Sequence, residues 1–424
     1  MTAADTQRAI DAVWRIEQAK LIAGLARIVR DVGLAEELAQ DALVIALEKW
    51  PEAGSPRNPG AWLMAAAKNR AIDQLRRRKL GERKYSEFLH DLESEQPDVV
   101  AELEASLDDE IGDDLLSLIF TACHPILPTD ARLALTLRLV GGLTTGEIAR
   151  AFLAAEPTIA QRIVRAKRSL SEAGVPFEVP RGAERAERLS SVLEVIYLIF
   201  NEGYAATAGD DWVRPQLVEE ALRLGRILAG LAPHEPEVHG LVALMEIQAS
   251  RIKARVAADG TPILLLDQNR SRWDWLLIGR GLAALERADR AGGPPGPYHL
   301  QAAIAACHAR ARTAEETDWT RISALYEALA EIVPSPVVEL NRAVAVGMAH
   351  GPAAGLAIVD GLAAHPALVR YHLLPSVRAD LLARLGRHDE ARAEAERAAG
   401  MTQNARERAL LLERAAGWAR DAAG

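Results

Sequence analysis

The chain has 424 residues, of which 49% are hydrophobic and only 4% aromatic, and its formal net charge is -9. This length supports two or three domains, and two cysteines, Cys123 and Cys307, exclude a disulfide framework or zinc site. Long Ala-, Leu-, Arg- and Glu-rich periodic segments predict an all-α protein. No stretch suits a signal peptide or a bilayer span, so we expect a cytoplasmic protein without membrane contact, metal or cofactor.

The first predicted element is an amphipathic helix over Asp31 to Pro51, "DVGLAEELAQDALVIALEKWP". Its core-facing side chains are Leu38, Ala42, Ile45 and Ala46. The opposite, acidic face carries Glu36, Glu37, Gln40, Asp41 and Glu48. Such a face either binds a partner protein or only meets water, and most faces of this kind do the latter.

A second helix is predicted over Asn58 to Lys79, with Asn58 as N-cap and Pro59 at the first helical position. The side chains expected to be buried are Met64, Ala65, Ala71, Ile72 and Leu75. The opposite face carries Trp62, Ala66, Asn69, Arg70, Asp73 and Arg77. An aromatic ring beside cations is typical of sites that hold single-stranded nucleic acid. The alternative places Trp62 at the edge of the core and makes the arginines a solubilising surface.

Charge is segregated after this helix. Basic residues dominate from Lys68 to Lys84, whereas the stretch from Asp91 to Asp114 contains no lysine or arginine. An acidic run of this kind is typical of a solvated, weakly ordered linker. Its position predicts a boundary between two basic helical domains.

The next predicted motif is a helix, a tight turn and a second helix. Thr144 or Thr145 caps the first helix, and Pro157 suits the first turn of the second. The second helix, "TIAQRIVRAKRSL", places Ile159, Ile163, Ala166 and Leu170 on one side. Its other side holds only hydrogen-bond donors and cations: Thr158, Gln161, Arg162, Arg165, Arg168 and Ser169. This pattern indicates a helix-turn-helix that enters the major groove, although an ordinary helical hairpin with a solvated basic face fits the same spacing.

The N-terminal half of the chain resembles bacterial RNA polymerase sigma factors of the extracytoplasmic-function (ECF) family. The resemblance lies in the order of its motifs: "GLAEELAQDALVIALEKWP", "PRNPGAWLMAAAKNRAIDQLRRR", the acidic linker, and "LRLVGGLTTGEIARAF" followed by the basic helix. The later stretches "YLIFNEGYAA", "DWVRP", "LDQNRSRWDW", "GPYHLQAAIAA" and "PSPVVELNRAVAV" look like the subgroup with a large tetratricopeptide-like extension. The resemblance implies region 2 over 1–85, an acidic linker over 86–114, region 4 over 115–177 and a helical extension over 178–424.

In that family, region 2 binds the β′ clamp of core RNA polymerase and opens promoter DNA at the minus-ten element. The resemblance makes Glu37, Gln40 and Asp41 candidates for polymerase contact. It makes Trp62, Asn69, Arg70, Asp73, Arg76 and Arg77 candidates for holding the melted strand. Region 4, which meets the β flap, would read the minus-thirty-five element as duplex through the donor stripe, with Gln161, Arg162 and Arg165 at base edges and the other three residues at phosphates.

The C-terminal half is predicted to be helical, with one candidate strand, "PILLLD", from Pro262 to Asp267. A hairpin, "ADLLARLGRHDEARAEAERAAGM", is expected to place Gly386 at a crowded crossing and Ala391, Ala395 and Ala398 on a packing face. Two polar and aromatic clusters consist of Asp211, Trp212 and Arg214, and of Asp267, Arg270, Arg272 and Trp273. They line a ligand pocket or, as we favour, anchor the extension to the sigma domains.

An enzyme is the competing class of function, and no catalytic grouping supports it. Cys307 and His308 are adjacent and therefore point to different faces of a helix, and the chain has no phosphate-binding loop. The other alternative is a helix-turn-helix regulator that acts without polymerase and carries a repeat-based sensor. The predicted function is a sigma factor whose extension modulates its activity, and we expect no enzymatic reaction.

Overall fold

A computed structural model describes residues 3–86, 111–206, 212–257 and 260–421. Within these ranges the fold is all-α, as predicted, and no β-strand forms. The chain divides into two compact units, Met1–Val195 and Ile196–Gly424, and the division falls inside a helix. Unit 1 therefore contains both predicted sigma regions. No described helix has the length and hydropathy that crossing a membrane requires.

The helices of unit 1 begin with three that form the region 2 bundle. They are α1 (Ala3–Val29), α2 (Val32–Ala53) and α3 (Pro59–Ser86). Helix α1 has no counterpart among the predicted elements, yet it packs on both α2 and α3. Its inner face is fully buried through Leu21, Ile22, Ala23, Leu25 and Ala26.

Helix α3 begins where the sequence predicts, because Asn58 Oδ1 accepts a hydrogen bond from the backbone N–H of Ala61 at 3.2 Å. Its buried face differs from the predicted one. Leu63 and Ala67 are buried together with Ala71, whereas Ala65 is exposed. The predicted buried face of α3 was therefore wrong by part of a helical turn. The contacts with α1 and α2 decide which side of α3 is covered, and the helical period of α3 alone does not contain them.

Region 4 contains the next four helices, α4 (Ile111–Ala122), α5 (Thr129–Leu139), α6 (Thr145–Ala151) and α7 (Glu156–Glu172). The following helix, α8 (Gly182–Tyr204), begins in unit 1 and ends in unit 2. A capping box fixes the start of α6: Thr144 Oγ1 accepts from Glu147 N at 3.2 Å, and Glu147 Oε2 accepts from Thr144 N at 2.8 Å. Helix α4 begins at Ile111, so the end of the predicted acidic linker is helical. The rest of that linker up to 110 lies almost wholly outside the described residues.

The first turns of α8 complete region 4. Arg188 donates to the backbone oxygen of Phe120 at 3.0 Å, and Ser191 Oγ donates to that of Cys123 at 2.6 Å. Arg132 of α5 donates to Ser191 Oγ at 2.5 Å. These contacts are buried, so α8 satisfies polar groups that would otherwise lack partners at the end of α4.

Unit 2 continues through ten further helices within the described ranges. They are α9 (Pro215–Leu231), α10 (Pro236–Ala249), α11 (Trp275–Ala291), α12 (Pro297–Arg310), α13 (Trp319–Ile332), α14 (Pro336–His350), α15 (Pro352–Leu362), α16 (Leu373–Arg384), α17 (His388–Met401) and α18 (Ala405–Asp421). Most of these helices pack against their neighbours in the chain, whereas α12 packs mainly against α10. Gly355 allows the close approach of α15 to α14, since an added Cβ would lie 2.6 Å from the Ala343 oxygen.

Two predictions for unit 2 were wrong and one is confirmed. The candidate strand consists of a single bridge between Val256 and Pro262 followed by a 3₁₀ turn, Leu265–Asp267, because the pairing does not extend beyond this bridge within the described residues. Gly386 is not at a crowded crossing. It has a φ of 75° with open space around it, so it ends α16 in the left-handed conformation. The alanine packing face of α17 is fully buried, as expected.

Candidate nucleic-acid interface

Helix α7 presents two faces of opposite character. Its apolar face is buried against α5 and α6 through Ile159, Ile163, Ala166 and Leu170, as the sequence predicts. The predicted DNA-contacting face is open: Thr158, Gln161, Arg165, Arg168 and Ser169 are exposed, and Arg162 is half-buried. The helix therefore offers donors and cations to solvent along its length.

The arginines of this face differ in how they are held. Arg162 pairs with Asp130 at 3.2 Å, and Arg168 pairs with Glu172 at 2.6 Å one turn along the helix. Arg165 has no ion-pair partner among the described residues. A guanidinium without an ion pair can form a bidentate contact with guanine without first breaking such a pair. Arg165 therefore differs from Arg162 and Arg168, which are both paired with carboxylates.

In region 2, Trp62 is half-buried and does not stand free. Its ring meets the buried Trp50 edge to face, with centroids 5.4 Å apart. Asn69 and Arg70 lie on the exposed side of α3. Of the remaining minus-ten candidates, the side chains of Asp73, Arg76 and Arg77 lie outside the described part of the molecule. Trp62 therefore lies at the edge of the core, and its role in holding single-stranded nucleic acid stays a prediction.

The predicted polymerase face on α2 is partly joined to the predicted DNA face on α3. Glu37 and Asp41 are exposed, and Asp41 lies 3.9 Å from Arg70. Gln40 is half-buried and donates to Glu36 Oε1 at 2.8 Å. Partial burial, followed by the nearby positive charge of Arg27, lowers the pKa of Lys68 on α3. The two candidate surfaces are therefore neighbours on one bundle.

Glu36 is the residue that the sequence reasoning placed wrongly. It was assigned to the acidic surface, but it is only 2% exposed. Its Oε1 accepts from Arg138 Nε at 2.7 Å, and its Oε2 forms an ion pair with Lys167 of the recognition helix α7. One region 2 carboxylate therefore holds two cations of region 4. No local signal identifies it, because its partners lie more than 100 positions away in the sequence.

Further contacts join the same two regions. Gln18 Nε2 donates to the Arg138 oxygen at 3.2 Å, and Ser171 Oγ donates to Asp31 Oδ2 at 3.0 Å. Asp31 also caps α2, since its Oδ1 accepts from Leu34 N at 2.9 Å. In this arrangement regions 2 and 4 form one closed body, with a cavity of about 530 Å³ beside Lys167.

The clusters predicted in the extension do not form one pocket. Arg270 and Trp273 are buried, whereas Asp267 and Arg272 are exposed. Trp212 and Arg214 are half-buried, and Arg214 forms an ion pair with Glu202. Asp211 lies outside the described residues. The second cluster is thus divided between core and surface.

Three parts of the chain match known families. Residues 15–80 match Sigma-70 region 2, residues 117–170 match Sigma-70 region 4, and residues 188–289 match a family of unknown function, DUF6596. An uncharacterized protein of Rhizobium meliloti is 45% identical over 91% of this chain and 90% of its own length. The ECF RNA polymerase sigma factor SigK of Mycobacterium tuberculosis is 32% identical over 148 residues, which cover 34% of this chain and 74% of SigK.

The chain belongs to the ECF sigma factor family. SigK of Mycobacterium ulcerans supports the same assignment, with 32% identity over 153 residues and 75% of its length. An ECF sigma factor is a non-enzymatic subunit that directs RNA polymerase to promoters, so core RNA polymerase and promoter DNA are the partners that the family implies. The two Sigma-70 matches lie in unit 1, on the helices whose candidate surfaces are described above.

Proposed function

We propose that this ECF sigma factor reads the minus-thirty-five element with the exposed face of α7 and opens the minus-ten element with region 2. The observation that carries the proposal is the exposed donor stripe on α7, which follows the capped helix α6 and a short turn. Gln161, Arg162 and Arg165 would contact base edges, because their side chains have the donor patterns that guanine and adenine accept. Thr158, Arg168 and Ser169 would contact phosphates and set the orientation of the helix.

For the minus-ten element, we assign the melted strand to the surface formed by Trp62, Asn69 and Arg70. The accessible part of the Trp62 ring would stack a base, and its contact with Trp50 would keep the ring fixed. Asp73, Arg76 and Arg77 are proposed for the same strand on the family resemblance. Trapping unstacked bases offsets part of the melting cost, which is a few kcal/mol per base.

Core polymerase would bind next to this surface. Glu37 and Asp41 are exposed carboxylates on α2, suited to a basic partner such as the β′ clamp, with Gln40 at their edge. Region 4 would meet the β flap. Because the net charge of the chain is -9, binding to free DNA should be weak, and polymerase would supply most of the promoter affinity. We propose that the protein acts in the cytoplasm, together with the polymerase.

The closed body in unit 1 cannot reach both promoter elements at once. The element names place them about 25 base pairs apart, on the order of 85 Å at 3.4 Å per pair. Helices α2 and α7 are only about 33 Å and 26 Å long at 1.5 Å per residue, and Lys167 of α7 touches Glu36 of α2. We infer that regions 2 and 4 separate on the promoter and that the Glu36 ion pairs break as they do so.

We further propose that the extension modulates transcription by acting on unit 1. More than half of the chain lies after Val195, and the DUF6596 match begins in α8, whose first turns complete region 4. Its helices also support the proposed tetratricopeptide-like architecture, since neighbouring helices pack in succession. A fragment that ends after Val195 should therefore bind core polymerase but transcribe at a different level from the full chain.

The test is run-off transcription with purified core polymerase on a promoter selected from a random library by the full-length protein. Arg165→Ala should reduce discrimination between the native and a scrambled minus-thirty-five element, by about 1–3 kcal/mol if the contact is bidentate. Arg181→Ala, an exposed arginine outside α7, is the matched control. Equal discrimination by Arg165→Ala and the control would remove the assignment. Specific duplex binding without polymerase, with no transcript, would favour the polymerase-independent regulator.

A further inference from the structure

Unit 2 contains an arginine ladder, a row in which arginine and aromatic side chains alternate. In order, its members are Trp212, Arg255, Tyr204, Arg251, Trp273 and Arg270. The Arg255 Cζ atom lies 3.8 Å from the Tyr204 ring centroid, and the Arg270 Cζ atom lies 4.8 Å from that of Trp273. Arg251 sits between them, 5.9 Å from the Tyr204 ring and 6.0 Å from the Trp273 ring.

The ladder is graded in burial. Arg251, Arg270 and Trp273 at one end are 7%, 8% and 3% exposed. Tyr204 and Arg255 towards the other end are only half-buried, as is Trp212. Burial along the row therefore increases from Arg255, which is half-buried, to Arg251, which is buried.

The three cations are not equally satisfied. Arg270 donates to the backbone oxygens of His308 and Ala311, at 2.8 Å and 2.5 Å, so its guanidinium is fixed. Within the described ranges, neither Arg251 nor Arg255 has a carboxylate partner. The Nε atoms of both are buried without a hydrogen-bond acceptor there. Two neighbouring cations thus have no counter-charge from the residues that the structure describes.

Ring faces do not fully replace a counter-ion. A cation–π contact stabilises a buried cation by less than the burial of an unpaired ion costs. The surroundings respond to this excess positive charge. Burial, followed by the charges of Arg251 and Arg270, lowers the pKa of His308 to about 3. Burial and the neighbouring Arg251 also lower the pKa of Arg255. An anion that contacts both Arg251 and Arg255 beside the Tyr204 ring would supply the missing acceptors and reduce the repulsion between the two cations.

We propose that Arg251 and Arg255 form a binding site in unit 2 for the phosphate group of a small molecule. Guanidinium groups bind phosphate through paired N–H donors, and two cations match the charge of a phosphate dianion better than that of a monovalent carboxylate. The depth of Arg251 excludes a nucleic-acid backbone, which would have to enter the interior with its neighbouring nucleotides. Occupancy would give the extension a chemical signal, but the binding test is independent of transcription.

The experiment is isothermal titration calorimetry of the full-length protein with inorganic phosphate, at constant ionic strength adjusted with chloride. We expect saturable binding of phosphate and none of acetate. Arg255→Gln and Arg251→Gln should each weaken phosphate binding at least tenfold. Arg280→Gln removes an exposed arginine of α11 in the same unit and should bind phosphate as the wild type does. Because Arg255 is only half-buried, its variant decides the matter if Arg251→Gln does not fold.

Three results would overturn the assignment. Absence of phosphate binding by the wild-type protein is the first, and unchanged affinity in Arg255→Gln is the second. The third concerns Asp210 and Asp211, which precede Trp212 in the sequence and lie outside the described residues. If phosphate binds only after Asp210→Asn and Asp211→Asn are combined, the chain's own carboxylates neutralise the ladder and no phosphate site exists in the native protein.

Discussion

Replacing Glu36 by glutamine should loosen the closed body formed by regions 2 and 4. The side chain is 2% exposed and pairs with Arg138 and Lys167, so the substitution keeps the shape of the side chain and removes the charge that both cations contact. Removing one partner of a buried ion pair costs about 3–5 kcal/mol. Arg138 and Lys167 each retain 21% side-chain exposure, and Arg138 also donates to the Leu143 oxygen at 3.2 Å. We therefore expect a smaller cost, about 2–3 kcal/mol, which shifts the equilibrium from closed to open by about 30- to 150-fold.

The assay measures the distance between the regions in the free, full-length protein. Spin labels on Glu52→Cys in α2 and Val164→Cys in α7 occupy exposed positions, whereas the native Cys123 and Cys307 are buried. Double electron–electron resonance spectroscopy should give one short distance between the two spin labels in the otherwise wild-type protein. With Glu36→Gln, the distribution of this distance should be longer and broader.

Glu48→Gln is the matched control, because it removes an exposed carboxylate from the same helix. A Glu36→Gln distribution that is identical to this control would refute the reasoning, since the ion pairs would then contribute nothing to closure. A loss of helical circular dichroism would instead report unfolding, and urea titration separates that outcome from opening.

The other predictions concern melting, pH and the boundary of unit 1. Asn69→Ala should reduce transcription on duplex DNA but not on a pre-melted bubble, and equal effects on both templates would contradict this. Trp62→Ala should also lower the melting temperature of the protein, because the variant loses the contact with Trp50. The pKa of the buried His308 side chain is about 3, compared with 6.5 for a free histidine. Below pH 6.5 the unfolded chain therefore binds a proton that the folded chain does not, and the free energy of unfolding should fall as the pH drops. The loss at pH 5 is about 2 kcal/mol relative to His308→Gln, measured by hydrogen exchange of α12 peptides in urea. A fragment ending at Pro180 lacks the α8 contacts and should melt at a lower temperature than one ending at Val195, by differential scanning calorimetry; equal melting would show that α8 does not support region 4.

The sequence by itself determined the helical class, the ends of several helices and the two faces of α7. Asn58 and Thr144 cap their helices as predicted, because a cap acts on backbone groups within three residues. The apolar face of α7 follows directly from the helical period, which places Ile159 and Ile163 one turn apart. The order of the two sigma regions along the chain was also enough to indicate the family, because each region carries its own local motifs.

Only the tertiary structure decided which polar side chains are removed from water. Glu36 and Glu37 are neighbours on one acidic helix, yet Glu36 is buried against region 4 and Glu37 is exposed. The helical period gives each residue a direction but does not say which helix from a distant part of the chain covers it. The same reason applies to Arg251, whose ring contacts come from Tyr204 before its own helix segment and Trp273 after it. Charge pairing and burial depend on such long-range contacts, whereas caps and periodicity are local.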